Sequence, residues 1–258
     1  MKLGISTASL YPLETELALE ILGKSGVKHT EIFFNCNSEL EDSFLDLLIK
    51  IRDEYGMSIT SVHPTMSLAE SFMLFSAYNR RLTEGLDSFK RYGEIAAKLG
   101  AEYVILHGGK PNGVLDDRQY CERFMQINQS VRSGGGELLQ ENVVNFRAGN
   151  LDFLKMMVDN LGDEVGFCLD VKQSVRGGYS PFDVIDAVGN NIRHLHISDN
   201  SPEKDCMLIG KGSFDFKALF SAMRSRNYGG AYILEVYRNA YNDYSELIDS
   251  IGILKQDR

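Results

Sequence analysis

The sequence predicts an α/β fold: a single (β/α)8 TIM barrel occupying residues 1–258 as one domain. Three observations predict it. Short β-rich runs alternate with segments of helical periodicity throughout the chain, as a ladder of βαβ units requires. Eight such pairs in 258 residues give about 32 residues per unit, the size of a strand, a crossover helix and two loops. Gly4 is followed by ISTASL rather than by the glycine fingerprint that opens a dinucleotide-binding open sheet. Closure into a barrel also leaves no exposed strand edge.

The strands are expected at 3–6, 29–34, 58–64, 103–108, 137–143, 165–171, 192–199 and 232–237. Several are almost continuously apolar, as strands covered on both faces should be. Between them, residues 38–56 place Leu40, Phe44, Leu47, Leu48 and Ile51 on one helical face, with Ser38 as the expected N-cap. Residues 81–99 repeat the pattern with Leu82, Leu86, Phe89, Ile95 and Leu99, and Gly100 stands where a helix C-cap belongs. Asn150 is placed to cap 151–161, Ser180 and Pro181 to open 181–189, and residues 242–255 to form the last helix.

A hydrophobic fraction of 43% and a charged fraction of 24% suit one soluble core. The net charge of −9 repels phosphate backbones and anionic membranes at long range, which disfavours a nucleic-acid partner. MKLGISTASL lacks the long apolar stretch of a signal peptide, and no apolar run nears the roughly 18 residues of a membrane span. Cys36, Cys121, Cys168 and Cys206 are scattered without a CxxC pair. They read as reduced thiols of a cytoplasmic protein.

In such a barrel the chemistry sits at the C-terminal strand ends. His63 closes the third strand, His107 the fourth, Glu141 the fifth, Asp170 the sixth, His196 the seventh and Glu235 the eighth. One histidine or carboxylate at a strand end is ordinarily a hydrogen-bonded structural group or a helix cap. Four that converge on one axis are different. Three carboxylates packed together without a cation would raise one another's pKa, and a divalent ion removes that conflict. Glu141, Asp170, His196 and Glu235 are therefore the expected metal ligands. In RHLHISD, His194 shares a face with His196 but lies one pleat deeper, where a structural role is expected. Asp199 either orients His196 or caps the next segment. The loops 107–113 and 172–178, and Lys211 in the GKG turn, offer backbone N–H groups or cations to a substrate. Tyr237 and Arg238 follow Glu235 closely enough to reach the same pocket.

LLQEN, FCLDVKQ, HLHISD, LIGKGSFDF and ILEVY together resemble the xylose isomerase-like barrel superfamily of sugar-phosphate isomerases and epimerases. The resemblance spans nearly the whole chain. In the ketose 3-epimerases of that superfamily, Glu, Asp, His and Glu from the last four strands hold one ion, matching Glu141, Asp170, His196 and Glu235. The two glutamates there are acid and base, which implies that role for Glu141 and Glu235. The implied reaction is isomerisation or epimerisation of a small ketose or sugar phosphate through a metal-stabilised enediolate. His63, His107, Lys211 and Arg238 would contact the substrate. Three carboxylates and an imidazole favour Mn2+, with Mg2+, Co2+ or Zn2+ as alternatives. Dehydration of a cyclic polyol begins with the same proton abstraction. The same superfamily contains the endonuclease IV type, which cleaves abasic DNA with three zinc ions. His63 and His107 match two of its further ligands. Gln173 replaces an expected histidine, and Lys204-Asp205-Cys206 replaces an expected Asp-x-His, so at least one zinc site is missing. The expected partner is a small sugar or polyol, with oligomer formation left open.

Overall fold

The computed structural model describes residues 1–65 and 69–256. Eight parallel strands close into a barrel: β1 (Lys2–Ser6), β2 (His29–Phe33), β3 (Ser58–His63), β4 (Tyr103–Leu106), β5 (Glu137–Glu141), β6 (Gly166–Asp170), β7 (Ile192–Ile197) and β10 (Ala231–Leu234). The ring order follows the chain, and β10 closes on β1 with Lys2 opposite Ala231. The α/β barrel expected from the sequence is therefore the fold observed. A short antiparallel hairpin, β8 (Asp199–Ser201) with β9 (Lys204–Met207), rises from the mouth after β7. Its polar NSPEKD stretch carries no strand periodicity, so the sequence reading missed it.

The large helices wrap the barrel. α2 (Asp42–Glu54) buries Leu45, Leu48 and Ile51, each worth about 1.5–3 kcal/mol of apolar burial. Two expectations fail here. Ser38 is not the cap, because residues 37–40 form a separate 3-10 turn and the helix begins after Glu41. The cause is tertiary: Glu39 is buried and accepts from Thr15 Oγ1 (3.0 Å) and the Asn35 N–H (2.5 Å), which holds that turn against its neighbours. Leu47 points outward and is 40% exposed. α4 (Asn79–Leu99) ends as expected on Gly100, whose φ of 73° needs a residue without a Cβ penalty. Asn150 caps α6 (Leu151–Leu161), and Ser180 forms a capping box with Asp183 at α8 (Pro181–Val188).

The apolar core divides in two. The larger part fills the space between the strands and the helices. The smaller, Ile105, Leu139 and Cys168 with Tyr103 against them, sits among the inward-facing side chains of β4, β5 and β6. Much of the rest of the barrel interior is polar: Glu31, Ser61, His194 and His196 are all at most 1% exposed. Branched apolar residues usually fill this space. All four cysteines are free thiols. No helix among the described residues is long and apolar enough to cross a membrane.

Candidate functional site

Register brings the ionisable strand ends together. Asp170 on β6 lies opposite His196 on β7, and His196 lies opposite Ile233 on β10, two residues before Glu235. Glu235 follows the last residue of β10 and still donates its N–H to Ile197 O at 3.1 Å. Side-chain donor atoms of Glu141, Asp170, His196 and Glu235 all fall within 4.8 Å of one another. The imidazole is central. Its Nδ1 is 3.4 Å from Glu141 Oε1, 3.7 Å from Glu235 Oε2 and 3.9 Å from Asp170 Oδ2.

Three atoms of this cluster are buried without a hydrogen-bond partner: Glu141 Oε2, Asp170 Oδ2 and His196 Nδ1. Glu141 Oε2 has His107 Nε2 at 3.1 Å, close enough for electrostatic attraction though not aligned as a hydrogen bond. Buried polar atoms are rarely left unpaired, and converging unpaired lone pairs are what a cation satisfies. The donor set and its orphaned atoms thus fit a divalent ion.

The electrostatics describe the strain of holding these groups together. Burial pushes the Asp170 carboxyl up to about 7; Lys172 opposes that shift, while Glu141 and Glu235 add to it. Burial would also raise Glu141, but the facing imidazoles of His107, His196 and His63 hold it well below the carboxylate range. Burial works against Glu235 likewise, and Lys172 and then His196 bring it down. Burial opposes charge on His196, yet Cys168, Glu31 and Glu235 raise its pKa well above the usual imidazole value.

A second layer supports the first from below. Glu31 on β2 is fully buried. Its Oε2 lies 2.9 Å from His196 Nε2 and accepts from Ser61 Oγ at 2.8 Å, while Oε1 accepts from Ser6 Oγ at 3.2 Å. His194 Nε2 is 3.4 Å from the same carboxylate and 3.1 Å from Ser61 Oγ. A proton on His196 Nε2, directed at Glu31, leaves Nδ1 as the lone pair facing the three carboxylates, the orientation a metal-binding imidazole needs. Sequence reasoning offered Asp199 either as the group orienting His196 or as a cap of the next segment, and the first reading is not the one observed. Asp199 instead gathers the N–H groups of Gly210, Gly212 and Phe214 at 2.9–3.0 Å, fixing the GKG turn. The available signal for Glu31 was a charge at the centre of β2, directly before the apolar Ile32 and Phe33.

Beside the cluster, His63 and His107 meet through their Nε2 atoms at 3.1 Å and flank Glu141. These three residues form a further group able to hold an ion. His107 lies just past the end of β4, and Glu70 pins it there by accepting the N–H groups of His107 (2.8 Å) and Gly108 (3.0 Å). Asn142 holds Asp170 by its backbone on both sides, accepting from its N–H and donating to its carbonyl. Lys172, which sequence reasoning named only within a loop, puts Nζ 2.7 Å from Glu235 Oε2 and 3.3 Å from Asp170 Oδ2. It is the first turn of α7 (Val171–Arg176), opening on Asp170, that turns it inward.

Two of the expected substrate contacts stand outside the four-residue cluster. Arg238 turns its guanidinium to the carbonyls of Tyr241 (2.8 Å) and Asn242 (3.1 Å), over the Tyr241 ring. Lys211 is exposed on the turn after β9. Tyr237 is half exposed, with its hydroxyl bonded to Arg176. At the opposite mouth of the barrel, a cavity of about 370 Å3 is lined by groups such as Lys2, Glu102, Arg193 and Tyr228. None of Glu141, Asp170, His196 and Glu235 lines it, and the N-terminal face of such barrels serves stability rather than chemistry.

The family model described as xylose isomerase-like TIM barrel matches residues 19–256. An uncharacterized protein of Mycobacterium leprae is 23% identical over 271 aligned residues, which cover 95% of this chain and 92% of that protein. Among solved structures, a D-tagatose 3-epimerase-like protein superposes with a TM-score of 0.81 at 20% identity, covering 99% of this chain and 96% of the other. A D-psicose 3-epimerase superposes with a TM-score of 0.79 at 18% identity, covering 100% and 98%. With the fold and nearly the full length matched, this chain belongs to the xylose isomerase-like TIM barrel family.

Proposed function

We propose that the protein is a metal-dependent isomerase or epimerase of a small ketose or sugar phosphate, working through an enediolate. The observation that carries this reading is the convergence of Glu141, Asp170, His196 and Glu235 at the C-terminal mouth, with orphaned atoms on three of them. Two of the structural neighbours are named as ketose 3-epimerases or their likeness, which supports the substrate class.

A divalent ion held by these four residues, Mn2+ by ligand preference, would supply Lewis-acid polarisation of a carbonyl. The protein's own groups supply the rest. Glu141 and Glu235 come from strands on opposite sides of His196, and each reaches it through one oxygen. One accepts the proton from the carbon next to the carbonyl, and the other returns a proton to the substrate. His107 and His63 favour the ionised form of Glu141. The same two imidazoles, with Lys211 at the rim, are candidates to orient hydroxyls or a phosphate. The test is a screen of ketoses and ketose phosphates in deuterated water with Mn2+ supplied. Exchange of a carbon-bound proton is expected, together with about one tightly bound ion per chain. A turnover that moves no carbon-bound proton, or no divalent-ion binding at millimolar metal, would refute the reading.

The alternative, phosphodiester cleavage of abasic DNA, draws on the His63–His107–Glu141 group, which suits a second ion. Against it, Gln173 spends its side-chain oxygen on the Val144 N–H. Asp205 is engaged by Arg176, Cys206 is buried, and the net charge is −9. No chelator-sensitive incision of an abasic duplex is expected in a gel assay with zinc or manganese.

A further inference from the structure

We propose that the Lys172 ammonium is an internal cation that closes the Asp170–Glu235 edge of the site and competes with the divalent ion for it. This rests on the metal reading above.

The geometry has three parts. First, Lys172 Nζ lies 2.7 Å from Glu235 Oε2 and 3.3 Å from Asp170 Oδ2. These oxygens are not spare. Asp170 Oδ1 is occupied by the Gln173 N–H at 3.0 Å, so Oδ2 is the atom Asp170 has left to offer an ion. Second, the ammonium is deeply placed: the Lys172 side chain is 4% exposed, whereas ordinary lysines keep that group in water. An ion and an ammonium on the same two oxygens would be like charges a few ångströms apart in a poorly screened interior. Third, the side chain has another place to rest. Nζ is already 5.1 Å from the centre of the Tyr237 ring at the mouth. That ring is fixed through its hydroxyl by Arg176, which is in turn paired with Asp205. A flexible four-carbon stem can swing toward the aromatic face without α7 moving.

In the metal-free chain, then, Lys172 neutralises carboxylates that would otherwise repel, and it must yield when the ion enters. The alternative is a permanent structural counter-ion that stays in place with or without metal.

Calorimetric titration of Mn2+ into chelator-stripped full-length wild type, Lys172→Met and Lys172→Gln separates the two. Competition predicts that both variants bind Mn2+ at least about tenfold more tightly than wild type, a difference of about 1.4 kcal/mol. Equal or weaker affinity in the variants, with wild type binding normally, overturns the competition and leaves the isomerase reading standing. Absence of binding in all three overturns both. As a control independent of how the variants fold without metal, wild type is also followed by nitrogen-15 NMR of its lysine ammonium groups. The Lys172 signal should be protected from exchange in the stripped protein and lost on saturation with diamagnetic Zn2+. A signal that stays protected at saturation refutes the proposal.

Discussion

Two layers of ionisable side chains, one pleat apart, fill the barrel interior. In the lower layer both Glu31 oxygens are engaged, by two serines and two histidines, and only His194 Nδ1 lacks a partner. In the upper layer three carboxylates crowd one imidazole, and Glu141, Asp170 and His196 each keep an orphaned atom. Both layers are buried and both are acidic. The difference lies in the donors. Serine hydroxyls and imidazole nitrogens answer Glu31, so that carboxylate sits well below its usual pKa despite a burial that pushes it upward. Above it, carboxylate faces carboxylate, and Asp170 is driven to about 7. Satisfied networks of this kind rigidify, while unsatisfied ones persist where function requires them. On the proposed reading, the lower layer is a platform and the upper layer the working surface.

The sharpest way to break that distinction is to remove one charge from the upper layer. Glu141→Gln and Glu235→Gln should each lower kcat by about 10^3-fold, the loss expected for a general acid or base. Single-turnover proton exchange in deuterated water reads the effect, and wild-type exchange in either variant would end the assignment.

Removing charge from the lower layer should act through His196 instead. Glu31→Gln is expected to weaken divalent-ion affinity by about 10–100-fold, as loss of a carboxylate behind a ligating imidazole does. Turnover at saturating metal should then recover substantially. If Glu31→Gln abolished turnover with affinity intact, the two layers would not be separable as platform and working surface.

The pH response should distinguish the layers as well. Asp170 holds its proton more tightly when folded, with a pKa near 7 against about 4 in an unfolded chain. The metal-free protein therefore loses stability as pH rises through that interval. Ion uptake must displace the same proton, so affinity should fall by about tenfold per pH unit below 7. Glu31 has the opposite sign. Its depressed pKa contributes stability above its unfolded value, and that contribution is lost on acidification. Thermal melts carried below about pH 4.3 measure the Glu31 contribution, and calorimetric metal titrations with melts between about pH 5 and 8 measure that of Asp170. An affinity flat across that range would remove Asp170 from the ligand set.

The smallest effect is expected outside both layers. Asp199→Asn should cost about 1 kcal/mol of stability by weakening its bonds to the GKG turn. Metal affinity should not change, and a large change would restore the link from Asp199 to His196.

The fold was legible because a βαβ repeat writes itself locally. Gly100, Asn150 and Ser180 end or begin their helices as their chemistry demands. Several expected strands run beyond the observed ones at the mouth: 103–108 against Tyr103–Leu106, and 232–237 against Ala231–Leu234. The extra residues are where the chain leaves the sheet, and His107 and Glu235 sit in that transition. Apolar periodicity continues past the last paired residue, so it cannot mark the point where pairing stops.

By itself, the sequence determined the alternation of elements and which strands end in a carboxylate or an imidazole, because both follow from local order and the two-residue pleat. Barrel register decided the rest. It placed Glu31, 165 positions away in sequence, beneath His196, and left Arg238 bonded to its own loop. It also swung Lys172 across to Glu235, 63 positions away. Such contacts depend on how far each strand slides against its neighbours and on which side chain fills the remaining space. No local pattern encodes either, and the closed barrel settles both at once.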